Sequence, residues 1–375
     1  PFGQAVIAAG IVVGGLGVMT LASILGFAVS RHLGLTQRML ATQETGTGAM
    51  GQISLLLKAV IATSLTMEAL LAAVFLPRFL SMGIDPVRAV WDAVFMAISV
   101  FNNAGFVILP EGLSPHVTDW WMLIPIILGT TVGAIGFPVI MDVAKNLRTP
   151  RRWRLHTKLT LSTYLILAFV GALALALTEW NNPATLGAID TPSKILNAML
   201  AGVNSRSSGL SALDVGAMQT QTHFVQDILM MIGGGSASTA GGVKVTTFAV
   251  LVLAVIAEAR GDRDIETFGR RIPTSAVRLA VAVSLLGLAL VAVSVVLLLS
   301  MTNYSLDIIL FETASAFATV GLSTGITPIL PVGAKYVLIF LMFAGRTGSM
   351  TVAAALALRE RSRVIRMPEE RPIIG

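Results

Sequence analysis

Long apolar runs separated by short polar stretches dominate this chain. A helix needs about 20 apolar residues to cross the hydrocarbon core of a membrane, and seven runs reach that length. They cover residues 4–30, 54–77, 119–143, 157–178, 223–258, 272–300 and 333–358. The pattern therefore predicts a polytopic membrane protein built from helices.

Three shorter helical segments lie between these runs, at 86–100, 192–205 and 306–318. Each is too short to span a membrane, and each is followed by small residues that include a glycine. We expect all three to enter the membrane and turn back, because irregular backbone is tolerated at that depth only where it is buried in protein or lines a cavity.

The order of span, short helix, glycine-containing loop and span occurs three times. The loops are Phe101–Phe106 (loop A), Ser205–Leu210 (loop B) and Ala318–Leu322 (loop C). The repeat predicts an all-α integral membrane fold with pseudo-fourfold symmetry. We divide the chain into the closing span of a truncated first repeat (1–50), a second repeat (51–150), a third with a broken helix (151–262) and a fourth with the C-terminal tail (263–375). Because the chain starts at Pro1 within an apolar run, we expect the opening helix and loop of the first repeat to precede it.

Composition agrees with the membrane prediction. Of the 375 residues, 55% are hydrophobic and only 12% are charged, whereas soluble chains carry about 25% charged residues. This excludes most soluble enzyme classes. The net charge of +6 comes from short basic clusters between apolar runs, a topology signal of membrane proteins, so we do not expect nucleic-acid binding.

Basic residues concentrate in the gaps after the first, third, fifth and seventh runs, which the positive-inside rule places in the cytoplasm together with the C-terminus. The opposite gaps hold few basic residues, among them Lys194 and Arg206. The three loops then enter from outside. We expect ten acidic residues to form a cation-concentrating mouth there: Asp85, Asp92, Glu111, Asp119, Glu179, Asp190, Asp214, Asp227, Asp307 and Glu312.

The loops carry the chemistry of a cation filter. The C-terminal carbonyls of a helix carry about half a negative charge, and glycine lets the following carbonyls turn inward. The three loops contain no carboxylates, and their neutral oxygens suit monovalent ions better than Mg²⁺ or Ca²⁺. Further oxygens come from the side chains of Asn102, Asn103, Ser207, Ser208 and Thr319. The candidate filter residues are Asn103, Ala104, Gly105, Ser207, Ser208, Gly209, Thr319, Val320 and Gly321.

A glycine-rich run interrupts the apolar stretch 223–258, which is too long for one straight crossing. Each glycine weakens a helix by about 1 kcal/mol relative to alanine, so the helix should break there. A phosphate-binding loop is excluded because no strand precedes the run and no Ser or Thr follows Lys244 directly. Two interpretations stay open: a cytoplasmic turn, or a flexible plug below the filter in which Ser236, Ser238 and Thr239 satisfy freed backbone groups. The candidate gate residues are Gly233, Gly234, Gly235, Ser236, Ser238, Thr239, Gly241 and Gly242.

Two charges fall inside apolar runs. Arg346 lies near the middle of 333–358, where an arginine costs about 2.5–3.5 kcal/mol, and we expect it to contact carbonyls of the glycine-rich run or the pore. Glu68 lies midway along 54–77, either as a hydrogen-bonded packing residue or as a cation site.

Five motifs resemble, in order and spacing, the membrane subunit of the Ktr/Trk/HKT potassium transporters, most closely the Ktr type. They are Phe101-Asn-Asn-Ala-Gly-Phe106, the run at 233–242 followed by Val-Lys-Val-Thr-Thr, Thr319-Val-Gly-Leu-Ser323, Gly345-Arg-Thr-Gly348 and Pro368-Glu-Glu-Arg-Pro-Ile-Ile-Gly375.

The resemblance implies K⁺ uptake across the plasma (inner) membrane through a central filter, with an intramembrane gate loop and with Arg346 as a barrier below it. It leaves open whether Na⁺ accompanies or competes with K⁺. It also implies a homodimer in the lipid bilayer, a separate cytosolic nucleotide-binding regulatory ring, and no organic cofactor on this chain.

Two other functions are found among membrane proteins with many apolar helices. A secondary transporter of another monovalent cation or of a small solute also uses broken helices and repeats, but solute transporters aim helix N-termini at anionic groups, whereas these loops follow C-termini. An intramembrane enzyme would need a catalytic pair or triad, and the predicted spans contain none. We therefore expect a protein that is not an enzyme.

Overall fold

A computed structural model describes residues 2–32 and 49–348 of the chain. Twelve helices of nine or more residues account for most of these. They are α1 (Phe2–His32), α2 (Ala49–Ser81), α3 (Pro86–Phe101), α4 (Trp120–Ile135), α5 (Phe137–Lys145), α6 (Leu155–Glu179), α7 (Thr191–Asn204), α8 (Thr220–Met231), α9 (Val245–Arg260), α10 (Thr274–Met301), α11 (Leu306–Ala318) and α12 (Val332–Phe343).

Four helices are long and apolar enough to cross a membrane within the described ranges: Phe2–Leu21, Leu57–Ser81, Leu155–Glu179 and Thr274–Met301. Their outward surfaces suit lipid, since the side chains of Leu177 and Phe169 are 74% and 69% exposed. The all-α membrane fold is confirmed. The remaining three predicted spans are not single straight helices in the described residues.

The predicted span 119–143 needs the clearest correction. It consists of α4 and α5, which meet at an angle of 97°. Gly136 lies between them with φ 93°, a backbone conformation that glycine adopts without a steric penalty. Pro138 follows, and it suits the first turn of a new helix. The hydropathy of this stretch is continuous, whereas its backbone is broken.

The other two interrupted spans break at glycine-containing segments. The stretch 223–258 is divided into α8 and α9 by the glycine-rich run, as predicted. The stretch 333–358 begins as α12 and continues as one π-helical segment, Ala344–Gly348, and its last ten residues lie outside the described range.

The short predicted helices are present, and local sequence explains their starts. Asp85 caps α3 by accepting hydrogen bonds from Val87 N and Arg88 N, and Asp190 caps α7 through Ser193 N. A proline follows each cap, where its missing N–H costs nothing. Helices α3 and α7 pack along the spanning helices α2 and α6, and α11 packs against α8, α10 and α12.

The described chain also contains a short β-hairpin that was not predicted. Strands β1 (Ile265–Thr267) and β2 (Arg270–Ile272) form an antiparallel hairpin. Its turn residues Phe268 and Gly269 have φ 50° and 70°, as a two-residue hairpin turn with positive φ requires. The hairpin follows α9 on the face that the basic clusters assign to the cytoplasm.

Candidate functional site

Loops A, B and C meet one another through their backbones. A Cβ atom built on Gly105 would lie 2.2 Å from the carbonyl oxygen of Ser208, and one built on Gly209 would lie 2.2 Å from that of Val320. Real side chains never approach a backbone so closely, so glycine is required at both positions. The loops therefore adjoin in the order A, B, C.

Loops A and C share one turn geometry. Asn103 and Thr319 both adopt the left-handed conformation, with φ 52° and 51°. The next residue in each loop returns a hydrogen bond to the helix, Ala104 N to Ser99 O at 2.8 Å and Val320 N to Ser315 O at 2.9 Å. This is the Schellman pattern of a helix C-terminus. A β-branched residue such as Thr319 rarely takes this conformation, and such outliers concentrate at functional sites.

Loop B turns differently. Its return bond comes from Gly209 N to Asn204 O, at 3.1 Å, and the left-handed residue is Gly209 itself, with φ 65°. Arg206, Ser207 and Ser208 have no positive φ. All three loops have a positive φ at their glycine, and loop B differs because it has no left-handed residue two positions earlier.

The side chains of the candidate filter residues have different surroundings. Ser207 Oγ donates to Asn103 Oδ1 at 2.8 Å, so the Asn103 oxygen is engaged between loops A and B. By contrast, the buried hydroxyls of Ser208 and Thr319 have no hydrogen-bond partner among the described residues. The two serine hydroxyls of loop B therefore differ in their contacts.

A cavity of about 900 Å³ borders loops A and C. Its wall includes Asn103 and Ala104 of loop A, Thr319 and Gly321 of loop C, and Arg346. Small residues of α1 close the opposite side, at Gly10, Gly14 and Gly15. The cavity therefore joins the loop region to the depth at which Arg346 lies.

The glycine-rich run 233–242 lies directly against these loops. Its ends are joined by Gly233 N to Val243 O at 2.8 Å and by Val245 N to Gly234 O at 3.0 Å. At its far end, a Cβ on Gly241 would lie 2.3 Å from Thr319 Oγ1. The run is thus a closed, buried loop packed beneath loop C, and it is not an exposed turn.

Side chains of the run satisfy part of its broken backbone, as predicted. Ser238 Oγ donates to Gly235 O at 2.6 Å, and Thr239 Oγ1 donates to Gly133 O at 3.0 Å. Ser236 differs from the prediction, because its hydroxyl pairs with the hydroxyl of Thr246 at 3.2 Å. The kink at Gly136 contributes as well: Gly235 N donates to Ala134 O at 2.8 Å, and Phe137 N donates to Ala237 O at 3.2 Å.

Two cationic side chains hold the carbonyls of the run. Arg346 Nη1 donates to Thr239 O, which confirms the predicted contact between this arginine and the run. Lys244 Nζ donates to Ala240 O at 2.5 Å. Sequence reasoning considered Lys244 only as part of a phosphate site and missed this role, although a lysine beside a run of freed carbonyls was a usable signal.

Arg206 is the residue that sequence reasoning misplaced most. It was counted among the outer, topology-setting charges, yet its side chain is 0% exposed. The guanidinium lies 3.7 Å from the centroid of the Tyr164 ring, and none of its three nitrogens has a hydrogen-bond partner among the described residues. Tyr164 in turn packs against Ile232, Ala240 and Val245, so the side chain of Arg206 links loop B to the ends of the run.

The sequence profile of the family described as TrkH, cation transport protein, matches residues 2–365. The chain belongs to this family. It is 37% identical over 374 residues to Ktr system potassium uptake protein B of Bacillus subtilis, covering 100% of this chain and 83% of that protein. It is 31% identical to potassium/sodium uptake protein NtpJ of Enterococcus hirae, covering 100% of this chain and 83% of that one.

A solved structure shares the fold of this TrkH family member. The potassium transporter TrkH from Vibrio parahaemolyticus matches with a TM-score of 0.67 and 18% identity, over 92% of this chain and 69% of the other. At that identity the likeness concerns the fold alone, and it agrees with the predicted helical membrane architecture.

Several acidic residues of the predicted outer mouth are internal in this family member. Glu179 is buried and accepts hydrogen bonds from Thr185 Oγ1 at 2.6 Å, Asn182 Nδ2 at 2.6 Å and Gln219 N at 2.8 Å. Asp92 is buried beside Arg88, at 2.8 Å. These carboxylates fix segments of the fold, so the prediction that all ten face the outer mouth was wrong.

Glu312 stabilises the irregular segment after loop C. Its Oε1 accepts from Ser323 Oγ at 2.8 Å and from Thr324 N at 2.8 Å, and its Oε2 accepts from Thr327 Oγ1 at 2.6 Å. The buried carboxylate therefore has partners for both oxygens. It anchors residues 323–327 to α11.

Glu68 has the surroundings of a packing residue. Its Oε1 accepts from Asn102 Nδ2 at 2.8 Å. No group of three or more His, Cys, Asp or Glu side chains with metal-site spacing occurs in the described part of the chain. Of the two interpretations of Glu68, the hydrogen-bonded one has direct support.

Proposed function

We propose that this protein takes up K⁺ across the plasma membrane, and that loops A, B and C line its selectivity filter. The observation that carries the proposal is the backbone contact of Gly105 with Ser208 and of Gly209 with Val320. It brings the C-terminal ends of three buried short helices to one place. Relatives of this chain are named potassium uptake proteins.

The chemistry of the meeting point suits a weakly hydrated monovalent cation. Each helix directs partial negative charge toward the loops. The oxygens available are carbonyls together with the hydroxyls of Ser208 and Thr319, which have no partner in the described part of the chain. Because these oxygens are neutral, the site does not favour divalent cations. In this proposal Na⁺ competes with K⁺ for the site, which is supported by the name of one relative, potassium/sodium uptake protein.

The run 233–242 acts as the gate in this proposal. It lies beneath loops A and C and is held by Arg346 through Thr239 O. The guanidinium places a positive charge on the cavity wall below the loops, which opposes cation passage. Opening then requires the run to leave this position and Arg346 to lose its contact.

We further propose that the protein forms a homodimer and that a separate cytosolic nucleotide-binding ring regulates it. The basic clusters on the cytoplasmic side supply a surface for such a ring, although they are also explained by topology and by anionic lipid. Residues 349–375, including the tail that the resemblance connects with the dimer, lie outside the described range. Co-purification from the native membrane tests both parts.

Transport is tested by Rb⁺ uptake in cells that lack their own potassium uptake systems. The full coding sequence should support uptake that K⁺ competes strongly and Na⁺ weakly, and Gly209→Ala should abolish it. Gly83→Ala is the matched control, since Gly83 has φ 76° but nothing within 4 Å of an added Cβ. Uptake of an organic solute in place of Rb⁺, or equal loss of uptake in both variants, would contradict the proposal.

A further inference from the structure

The side chain of Asn103 connects three segments that are far apart in the sequence. Its Oδ1 accepts from Ser207 Oγ of loop B at 2.8 Å, and its Nδ2 donates to Thr239 Oγ1 of the run at 2.6 Å. The residue itself belongs to loop A and is only 2% exposed. A single amide group therefore touches two filter loops and the proposed gate.

The amide has few other partners available. The next polar atom for its Nδ2 is Phe101 O, at a marginal 3.5 Å. A buried amide that loses a hydrogen bond pays a desolvation penalty, so Asn103 favours whichever arrangement keeps both of its partners. In the described structure that arrangement requires Thr239 to stay in place.

Three hydrogen bonds hold the run in place at Thr239. Its hydroxyl donates to Gly133 O at 3.0 Å, its N–H donates to Gly133 O at 3.3 Å, and its carbonyl accepts from Arg346. Any motion of the run that releases Arg346 also moves the Thr239 hydroxyl. The partner of Asn103 Nδ2 is then lost.

We infer that Asn103 is a positioning residue that makes cation binding at loops A and B depend on the position of the run 233–242. This inference rests on the proposed function and deepens it. With the run in place, the amide holds the Ser207 hydroxyl and the turn of loop A in one geometry. When the run leaves, the amide is free to rotate and Ser207 loses its fixed acceptor, so the affinity of the filter for the cation changes.

The coupling is reciprocal by thermodynamic necessity. If the position of the run alters cation affinity by some factor, a bound cation alters the equilibrium of the run by the same factor. The gate is then sensitive to the ion in the filter as well as to any regulator.

The test separates the KM of Rb⁺ uptake from its maximal rate, at equal membrane abundance. Thr239→Val removes the hydroxyl and keeps the shape, whereas Thr239→Ser keeps the hydroxyl. We expect Thr239→Val to raise the maximal rate and to change KM about fivefold, the factor that one buried neutral hydrogen bond supplies. Thr239→Ser should change KM by less than about twofold, because its hydroxyl restores the bond.

A control and a double variant complete the design. Ser236→Ala removes the Thr246 contact and leaves the bond between Asn103 and Thr239 in place, so it should shift KM by less than Thr239→Val does. Ser207→Ala should shift KM, and adding it to Thr239→Val should give less than the product of the two single effects, because both act through Asn103. If Thr239→Val fails to reach the membrane, Thr239→Ala replaces it.

An unchanged KM in Thr239→Val, or independent effects in the double variant, would overturn the coupling while leaving transport intact. Absence of Rb⁺ uptake by the unmodified protein would instead overturn the proposed function.

Discussion

Loops A and C have the same turn, but the side chains that hold each loop come from different parts of the chain. Loop C is fixed by its own helix: Ser315 Oγ donates to Leu322 O at 2.6 Å and accepts from Gly321 N at 3.2 Å. Loop A is fixed by other segments, through Ser207 and Thr239. Both loops share the local return bond, and the same backbone geometry is supported further by local bonds in loop C and by long-range bonds in loop A.

The difference separates a rigid part of the site from a responsive part. Loop C has anchors on α11 that do not involve the run, in addition to its packing against Gly241. Loop A loses one of its anchors when the run moves, although its return bond to Ser99 O does not involve the run. A substitution that perturbs the run should therefore alter loop A, whereas a substitution within α11 should alter loop C.

The largest expected effect concerns the contacts between adjacent loops. Gly105→Ala and Gly209→Ala each force a Cβ to within 2.2 Å of a carbonyl oxygen. Displacement of catalytic or binding groups by about 1 Å costs about 100-fold in rate, and we expect at least that loss of Rb⁺ uptake. Normal uptake by either variant at normal membrane abundance would show that the loops do not meet.

The next effect tests the local anchoring of loop C. Glu312→Ala removes the acceptor for several hydrogen bonds, each worth about 1 kcal/mol or more, and should lower Rb⁺ affinity about tenfold or more. Glu312→Gln keeps part of this acceptor set and should lower affinity less. Equal affinities in the two variants and the parent would mean that α11 does not set the shape of loop C.

Removal of the gate should raise transport, provided that the protein still inserts. Deletion of 234–241 removes Thr239 and should change both maximal rate and KM, because loop A loses its partner. Arg346→Ala removes a positive barrier and one anchor of the run but keeps Thr239, so it should raise the rate and change KM less than the deletion does. Reduced uptake by both variants at normal abundance would assign the run a structural role.

The smallest effect should come from Gly321→Ala. Gly321 has φ 96°, but an added Cβ meets nothing within 4 Å. Only the strain of the left-handed backbone remains, about 1 kcal/mol, so Rb⁺ affinity should fall by about fivefold. A loss as large as that of Gly209→Ala would show that this glycine also faces a close neighbour.

Local sequence signals predicted the short helices well. The predicted segments 86–100, 192–205 and 306–318 match α3, α7 and α11 to within one residue at each end. Aspartate followed by proline starts two of them, and glycine-containing loops end all three. Such signals act within one turn of the chain, so they can be recognised without knowledge of the tertiary structure.

What the sequence did not reveal depends on long-range contacts. The kink at Gly136 is invisible to hydropathy, because both halves are apolar. The burial of the Arg206 side chain in loop B was not predicted, because counting charges treats every arginine between spans as exposed. The role of Asn103 could not be predicted either, since its partners Ser207 and Thr239 lie 104 and 136 residues away along the chain and meet it only after folding.

The kink between α4 and α5 and the break between α8 and α9 satisfy each other's free backbone groups through hydrogen bonds. Backbone groups of Gly133 and Ala134 accept hydrogen bonds from Thr239 and Gly235, and in hydrocarbon neither break could leave such groups unpaired. For protein engineering the two interruptions are one transplantable unit. A chimera that exchanges residues 233–242 with those of a relative should insert correctly only when residues 133–137 are exchanged with them, and natural variation in the two segments should be correlated.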